Sequence, residues 1–257
     1  MIKLSAGLII AALISIICYM FLEYKWMLYL GIIFILSEML LFIFLLIKSS
    51  KSDSEIFLKR IINPDLQPVK KQISLLSCSI QNFSSFQNNI SLEENRQFLE
   101  EYYSLINKII NRNGGVLENQ LKDTVLICFG AIYSDNKHPE NAIRTALKIK
   151  EVFEGLKVAW KSKTTSELQI NLGVITDIAV VGVVGTKYYP GYISIGNSVD
   201  LAIALDRLNR KYNSNIIINK ETLEKVSGLV SYEELPLFKM KNIDKPIEVY
   251  MVHEIKE

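Results

Sequence analysis

Two apolar runs near the N-terminus constrain this chain more than any other feature. Leu4 to Leu22 carries no charged residue, and Trp26 to Ile47 carries only Glu38. Each matches the ~20 residues that a helix needs to cross the hydrocarbon core of a bilayer. Only Glu23-Tyr24-Lys25 separates them, so the expectation is a tight antiparallel transmembrane helical hairpin over residues 1–48. A cleaved signal peptide is the competing reading. No small-residue cleavage site follows the first run, and a second full-length run begins at once, which favours the hairpin. Lys48, Lys51, Lys59 and Arg60 follow the second run, against Lys25 alone in the turn. The positive-inside rule then makes this a two-pass protein of the cytoplasmic (inner) membrane, with the rest of the chain in the cytoplasm. Glu38 is costly at membrane depth, and an intramembrane ionisable residue marks a functional position by default. The plainer reading is a protonated Glu38 that hydrogen-bonds Ser37 or a neighbouring helix and holds an oligomer together.

With 49% hydrophobic and 22% charged residues, apolarity is concentrated in those runs rather than spread along the chain. The net charge of +2 argues against a nucleic-acid partner, which calls for a strong basic excess. Cys18, Cys78 and Cys128 have no metal-ligand spacing and lie in apolar runs, so they read as buried reduced thiols. Residues 49–69 read as a linker, polar at first and ending in Pro64 and Pro68. Residues 70–257 then alternate element types. Gln72 to Ser79 reads as a strand, and Ser91 with Glu94 forms a capping box that opens a helix carrying Phe98, Tyr102, Leu105 and Ile109. Gly114 to Gly130 reads as a hairpin with Asp123 at its tip, where a carboxylate suits a hard cation. A helix follows from Pro139, and Leu168 to Val174 alternates as a half-buried strand. Ile178 to Val184 and Tyr192 to Ile195 are further apolar runs, and Ser198 to Leu208 is a helix. Ile216 to Ile218, the short helix Lys220 to Val226, and an antiparallel pair, Val230 to Lys239 with Ile247 to His253, complete the pattern. It predicts an α+β sheet with helices packed on it.

Six segments in this order resemble one family. Leu75 to Phe86 (LLSCSIQNFSSF) is similar to "LFADIRGFTSL", and Gly114 to Gly130 to "GGxxDKFIGDAVMAVFG". His138 to Leu147 resembles "DHAxxAVRAAL", Asn171 to Gly185 "GINTGxVVVGNIG", Ile195 to Leu208 "IGDAVNLAARLE", and Lys241 to Tyr250 "KGKSEPVEVY". The part from about residue 70 to 255 thereby resembles the catalytic domain of class III adenylate and guanylate cyclases. The resemblance implies a ferredoxin-like fold, a mainly antiparallel sheet flanked by helices. It also implies attack of a ribose 3′-hydroxyl on the α-phosphate, with two cations held by two aspartates.

At the family's functional positions this sequence departs. The first aspartate falls at Ser79, which brings no negative charge, and the second is present as Asp123. The family's glycine beside it is Lys122, whose ammonium would compete with a cation. The Asn and Arg that orient ribose and stabilise the transition state fall at Asp200 and Ala204. Losing one such donor commonly costs on the order of 10²–10³ in rate. The base-reading pair falls at Asn119 and Ile193, and Asn197 replaces the Asp of the "GD" motif. No residue is therefore assigned a catalytic role, and Asp123 reads as a metal-site remnant. No cofactor is expected, magnesium or manganese entering only with a residual nucleotide site. The plainer readings make Asp123 a turn residue tolerant of unusual backbone geometry and Asp200 a solvated or capping residue. They place His138 and His253 at a helix start or on the surface, and Lys239, Lys241 and Lys245 on a solvated strand face. The functional expectation is a membrane-anchored, catalytically inactive cyclase-homology protein. It would act as a homo-oligomer with a protein partner; the alternatives are a nucleotide sensor or a subunit active only in a heterodimer.

Overall fold

The computed structural model describes residues 15, 36–40, 68–131, 135–161, 167–186, 189–241, 243 and 245–256. Apart from residues 15 and 36–40, the predicted membrane hairpin lies outside these residues, as does most of the linker. Residues 36–40 are helical, with Glu38 exposed. Among the described residues no helix is long and apolar enough to cross a membrane. The chain divides into two compact units, Met1–Ile62 and Asn63–Glu257, and the second holds the cyclase-like motifs.

β1 (Val69–Gln81) is a central strand with β3 (Thr124–Phe129) and β4 (Gln169–Thr186) on either side, both antiparallel to it. β2 (Val116–Leu121) extends the sheet beyond β3. On the other side β6 (Ile216–Asn219) runs parallel to β4, followed by β8 (Ile247–Ile255) and β7 (Val230–Phe238), while β5 (Tyr189–Ile195) folds back on the far part of β4. This is the expected α+β arrangement, a mixed sheet in which the β4–β6 pair is parallel.

Helices cover both faces. α1 (Phe83–Asn88), α2 (Leu92–Arg112), α3 (His138–Trp160) and α5 (Lys220–Val226) contribute to one apolar cluster. α2 opens on the predicted capping box: Ser91 Oγ accepts from Glu94 N, and Ser91 N donates to the Glu94 carboxylate at 3.0 Å. Its buried stripe, Phe98, Tyr102, Ile106 and Ile109, recurs every three to four residues and meets Phe86, Phe153 and Trp160. α4 (Asn197–Tyr212) packs on the opposite face through Leu201, Ala202 and Leu205, against Ile73, Leu75, Ile175 and Ile217. Gly173 permits this approach, because a Cβ there would stand 2.3 Å from Ala202 O and 2.4 Å from Asp206 N.

Two expectations change. The runs read as Leu168 to Val174 and Ile178 to Val184 are one strand, β4, continuous through Thr176 and Asp177. Polar residues persist there because the Asn219 side chain serves as a strand edge: its Oδ1 accepts from Thr176 N and its Nδ2 donates to Thr176 O, each at 3.1 Å. His138 begins α3 as predicted but is buried, 7% exposed, with Nδ1 2.9 Å from Ser74 Oγ. Gly130 (φ 80) makes the room, since a Cβ there would lie 3.0 Å from the His138 Cβ.

Candidate functional site

The hairpin and the end of β1 are fixed to one another by backbone bonds. Ile80 N donates to Asp123 O at 3.2 Å, and Ser79 stands opposite Thr124 in the β1–β3 register. From α2, Tyr102 Oη lies 3.5 Å from Asp123 O, and Tyr103 Oη donates to Lys122 O. Ser79 and Asp123 are thus brought together, as the sequence motifs imply. The unusual backbone of the tip belongs to Lys122, at φ 52, and not to Asp123. A left-handed conformation is free for glycine and costs an L-residue roughly 1–2 kcal/mol. Among the described residues no ion pair joins Lys122 to Asp123; ion-paired lysines such as Lys220, with Glu248, lie elsewhere.

Ser79 does not stand open beside Asp123. Its Oγ donates to Asp206 Oδ1 at 2.7 Å, and Ser77 Oγ donates to Asp206 Oδ2 at 2.8 Å. Asp206 projects from α4 and is 1% exposed. Burial pushes its carboxyl up to about 6, while the two serine hydroxyls pull it partly back. Asp200 is exposed in the first turn of α4, where a carboxylate favours the helix dipole, and Ala204 is half-buried one turn later.

Asn119 is exposed on β2, and Ile193 pairs with Gly182 in the β4–β5 ladder. Between their strands a bridge appears that the sequence did not announce. The β2–β3 register shifts between Leu117 and Asn119, so Glu118 is a bulged residue, and Ser194 Oγ donates to Glu118 Oε1 at 2.5 Å. Burial raises the Glu118 carboxyl to about 7, with the Ser194 bonds lowering it in part. Cys128 lies 3.5 Å from Ser194 Oγ; burial first, and then the Glu118 charge, push its thiol up to about 12. The Cys78 thiol, 3.3 Å from Tyr102 Oη, is raised far above its ordinary range, chiefly by burial. Both are buried free thiols of the unreactive kind, as expected; Cys18 lies outside the described residues. His253, Lys239, Lys241 and Lys245 are exposed.

Sequence reasoning found Ser79, Asp123, Asn119, Asp200 and Ala204 but missed Asp206 and Glu118. Asp206 stands at the last letter of the "IGDAVNLAARLE" motif, which marks its place but not its bonds. Nothing in the sequence marks the bulge at Glu118. At the strand end the donor set's carboxylates are Asp123 at the hairpin tip and Asp206, which is buried and takes up the Ser77 and Ser79 hydroxyls. Among the described residues no three His, Cys, Asp or Glu side chains converge on a point. That set does not fit two hard cations held by a pair of aspartates.

Sheet order, the helices on both faces, and a hairpin carboxylate beside the end of β1 define a nucleotidyl-cyclase type of domain. Residues 67–254 match the family model for the adenylate and guanylate cyclase catalytic domain, and the chain belongs to that family. It is 25% identical over 183 residues to adenylate cyclase 1 of Rhizobium meliloti, a match covering 71% of this chain and 28% of that protein. It is 20% identical over 190 residues to the adenylate cyclase of Anabaena cylindrica, covering 72% of this chain and 37% of that one. The chain therefore spans well under half the length of either relative. Among solved structures it resembles the adenylyl cyclase CyaB from P. aeruginosa, with TM-score 0.68, 22% identity, and 74% of this chain matched to 97% of that one. The guanylyl cyclase Cya2 follows at TM-score 0.66 and 20% identity, with 74% and 95% covered. At these identities the likeness is one of fold.

Proposed function

We propose that this chain is a membrane-anchored cyclase-homology protein that does not turn over nucleotide. It works as a dimerising scaffold or regulatory interaction module on the cytoplasmic face of the inner membrane. The observation that carries this reading is the bond from Ser79 Oγ to Asp206 Oδ1 at 2.7 Å. It commits to an internal helix contact the residue that would answer for the first cation. Asp200 and Ala204 add no cationic or amide donor from α4, where a phosphoryl transition state needs one.

Self-association is supported by one similar solved structure, a non-canonical dimeric guanylyl cyclase domain of the RhoGC fusion protein from Blastocladiella emersonii, at TM-score 0.61 and 18% identity. The two apolar runs supply the anchor, and tethering in one membrane raises the effective concentration for pairing. The test takes the purified full-length chain with ATP or GTP and magnesium or manganese. The expected result is no cyclic nucleotide together with self-association at micromolar concentration. Cyclic nucleotide made by the chain alone would overturn the proposal.

A second reading, favoured by the retained Asp123 at the hairpin tip, is a domain that binds nucleotide without converting it. Its variant is a subunit that turns over nucleotide only in a heterodimer. Calorimetry with ATP and GTP separates sensor from scaffold: measurable metal-dependent affinity supports the sensor. Cyclic nucleotide that appears only when a partner from the same membranes is added supports the heterodimer.

A further inference from the structure

Ser77, Ser79 and Gln81 alternate along β1 and present one face of the sheet to α4. Asn171 of β4 stands directly across from Ser79 and shares that face, two residues from Gly173, on which the Asp206 backbone rests. Asn171 is 0% exposed, yet neither its Oδ1 nor its Nδ2 has a partner, and the buried Gln81 Oε1 has none either. Leaving a buried amide atom unpaired is costly, so native folds rarely do it. Three such atoms fall here on two side chains of neighbouring strands.

Elsewhere this fold satisfies its buried asparagines with its own groups. Asn209 Nδ2 donates to Leu172 O at 3.1 Å and its Oδ1 accepts from Ser214 Oγ at 2.7 Å. Asn219 is bonded at both ends to Thr176. Asn171 is the exception, and it lies beside the Ser79–Asp206 contact. Its Nδ2 needs an acceptor, while its Oδ1 and Gln81 Oε1 need donors. A cation would answer the oxygens and leave the nitrogen unmet. Water both donates and accepts, and it is stable in a protein where it meets about two to four polar partners.

We infer that the α4-facing side of the β1–β4 strand end is an internal hydration site, in which ordered water joins the Asn171 amide and Gln81 carbonyl to the Ser79–Asp206 pair. The site ties α4 to the sheet through solvent, and it holds whether or not the domain turns over nucleotide.

The test is water-to-amide cross-relaxation on the full-length protein labelled with ¹⁵N-asparagine. A long-lived water contact at the Asn171 side-chain amide is expected, and its absence in the unsubstituted protein overturns the inference. Asn171→Leu reads the same question through stability. A hydrated site loses a bridge and leaves the water's other partners unmet, so Tm falls by about 3–8 °C. A dry orphan would be relieved by leucine, so an unchanged or higher Tm also overturns it. Should the leucine variant not fold, the cross-relaxation result decides alone.

Discussion

Midway along β1, Ser74 Oγ lies 2.9 Å from His138 Nδ1 and 2.8 Å from Thr176 Oγ1. Thr222 Oγ1 continues the chain at 3.0 Å from Thr176 Oγ1 and 2.6 Å from Asn219 Oδ1. At the C-terminal end, Ser77 and Ser79 share a buried carboxylate, and the amide opposite has no partner. One strand thus carries two buried polar clusters of different kinds. The first closes on its own side chains and joins α3, β1, β4, α5 and β6 as a structural fastening. The second, beside the hairpin tip, keeps a buried acid and open hydrogen-bonding capacity. The difference is one of closure: the fastening is bonded within itself, while the cluster beside the hairpin tip holds a buried acid and unpaired amide atoms.

The two clusters also answer to acid with opposite sign. Burial raises the folded Asp206 carboxyl from 3.8 to about 6, so its contribution to stability is full below about 3.8 and is lost as pH rises through about 6. Burial lowers the folded His138 imidazole below 6.5; Lys71 and Lys225 lower it further, while Asp135 opposes them. Its contribution is full above 6.5 and is lost as pH falls below that value.

The largest expected effect breaks the site end alone. Gly173→Ala drives a Cβ into the α4 backbone at Ala202 O and Asp206 N, and about 3–4 kcal/mol of stability should disappear in urea denaturation. The acid response of His138 should survive it; a loss of both would mean the two clusters are one unit. Next, Asp206→Asn should remove the fall in stability between about pH 4 and pH 6, worth about 3 kcal/mol for a carboxyl raised from 3.8 to about 6. A slope that persists would show that another group produces it. Smaller again, His138→Gln keeps a partner for Ser74 and removes the titration. It should cost about 1 kcal/mol at pH 8 and flatten the acid limb just below pH 6.5. The smallest change touches neither cluster. Lys122→Gly at φ 52 should leave stability within about 1 kcal/mol of the parent, with a small gain if relief of the left-handed strain outweighs the added freedom of the unfolded chain.

Much of this fold was legible because it is written in local code. The α2 capping box, the α3 proline and the short helix Lys220–Val226 stand where the sequence put them. The hairpin was legible for the same reason, with β-branched runs on either side of a polar tip. What failed was non-local. Thr176 and Asp177 read as a break because nothing near them shows that Asn219, 43 residues on, will serve as their strand edge. His138 read as a helix-start or surface residue; it does start α3, but its burial against Ser74 and Gly130 depends on strands distant in sequence. At the site, the motifs located Ser79 and Asp123, but the partner that defines Ser79, Asp206, lies 127 residues away and on another element.

The bond from Ile80 N to Asp123 O makes one amide a reporter of the hairpin tip. That amide is one residue beyond Ser79 and can trade its hydrogen for deuterium only when the tip lifts from the strand. Its lifetime in heavy water therefore reports the free energy of lifting the hairpin, a quantity that static contacts do not contain. Any nucleotide, lipid or protein that seats against the tip will lengthen that lifetime, so a single amide can report occupancy before the occupant is known.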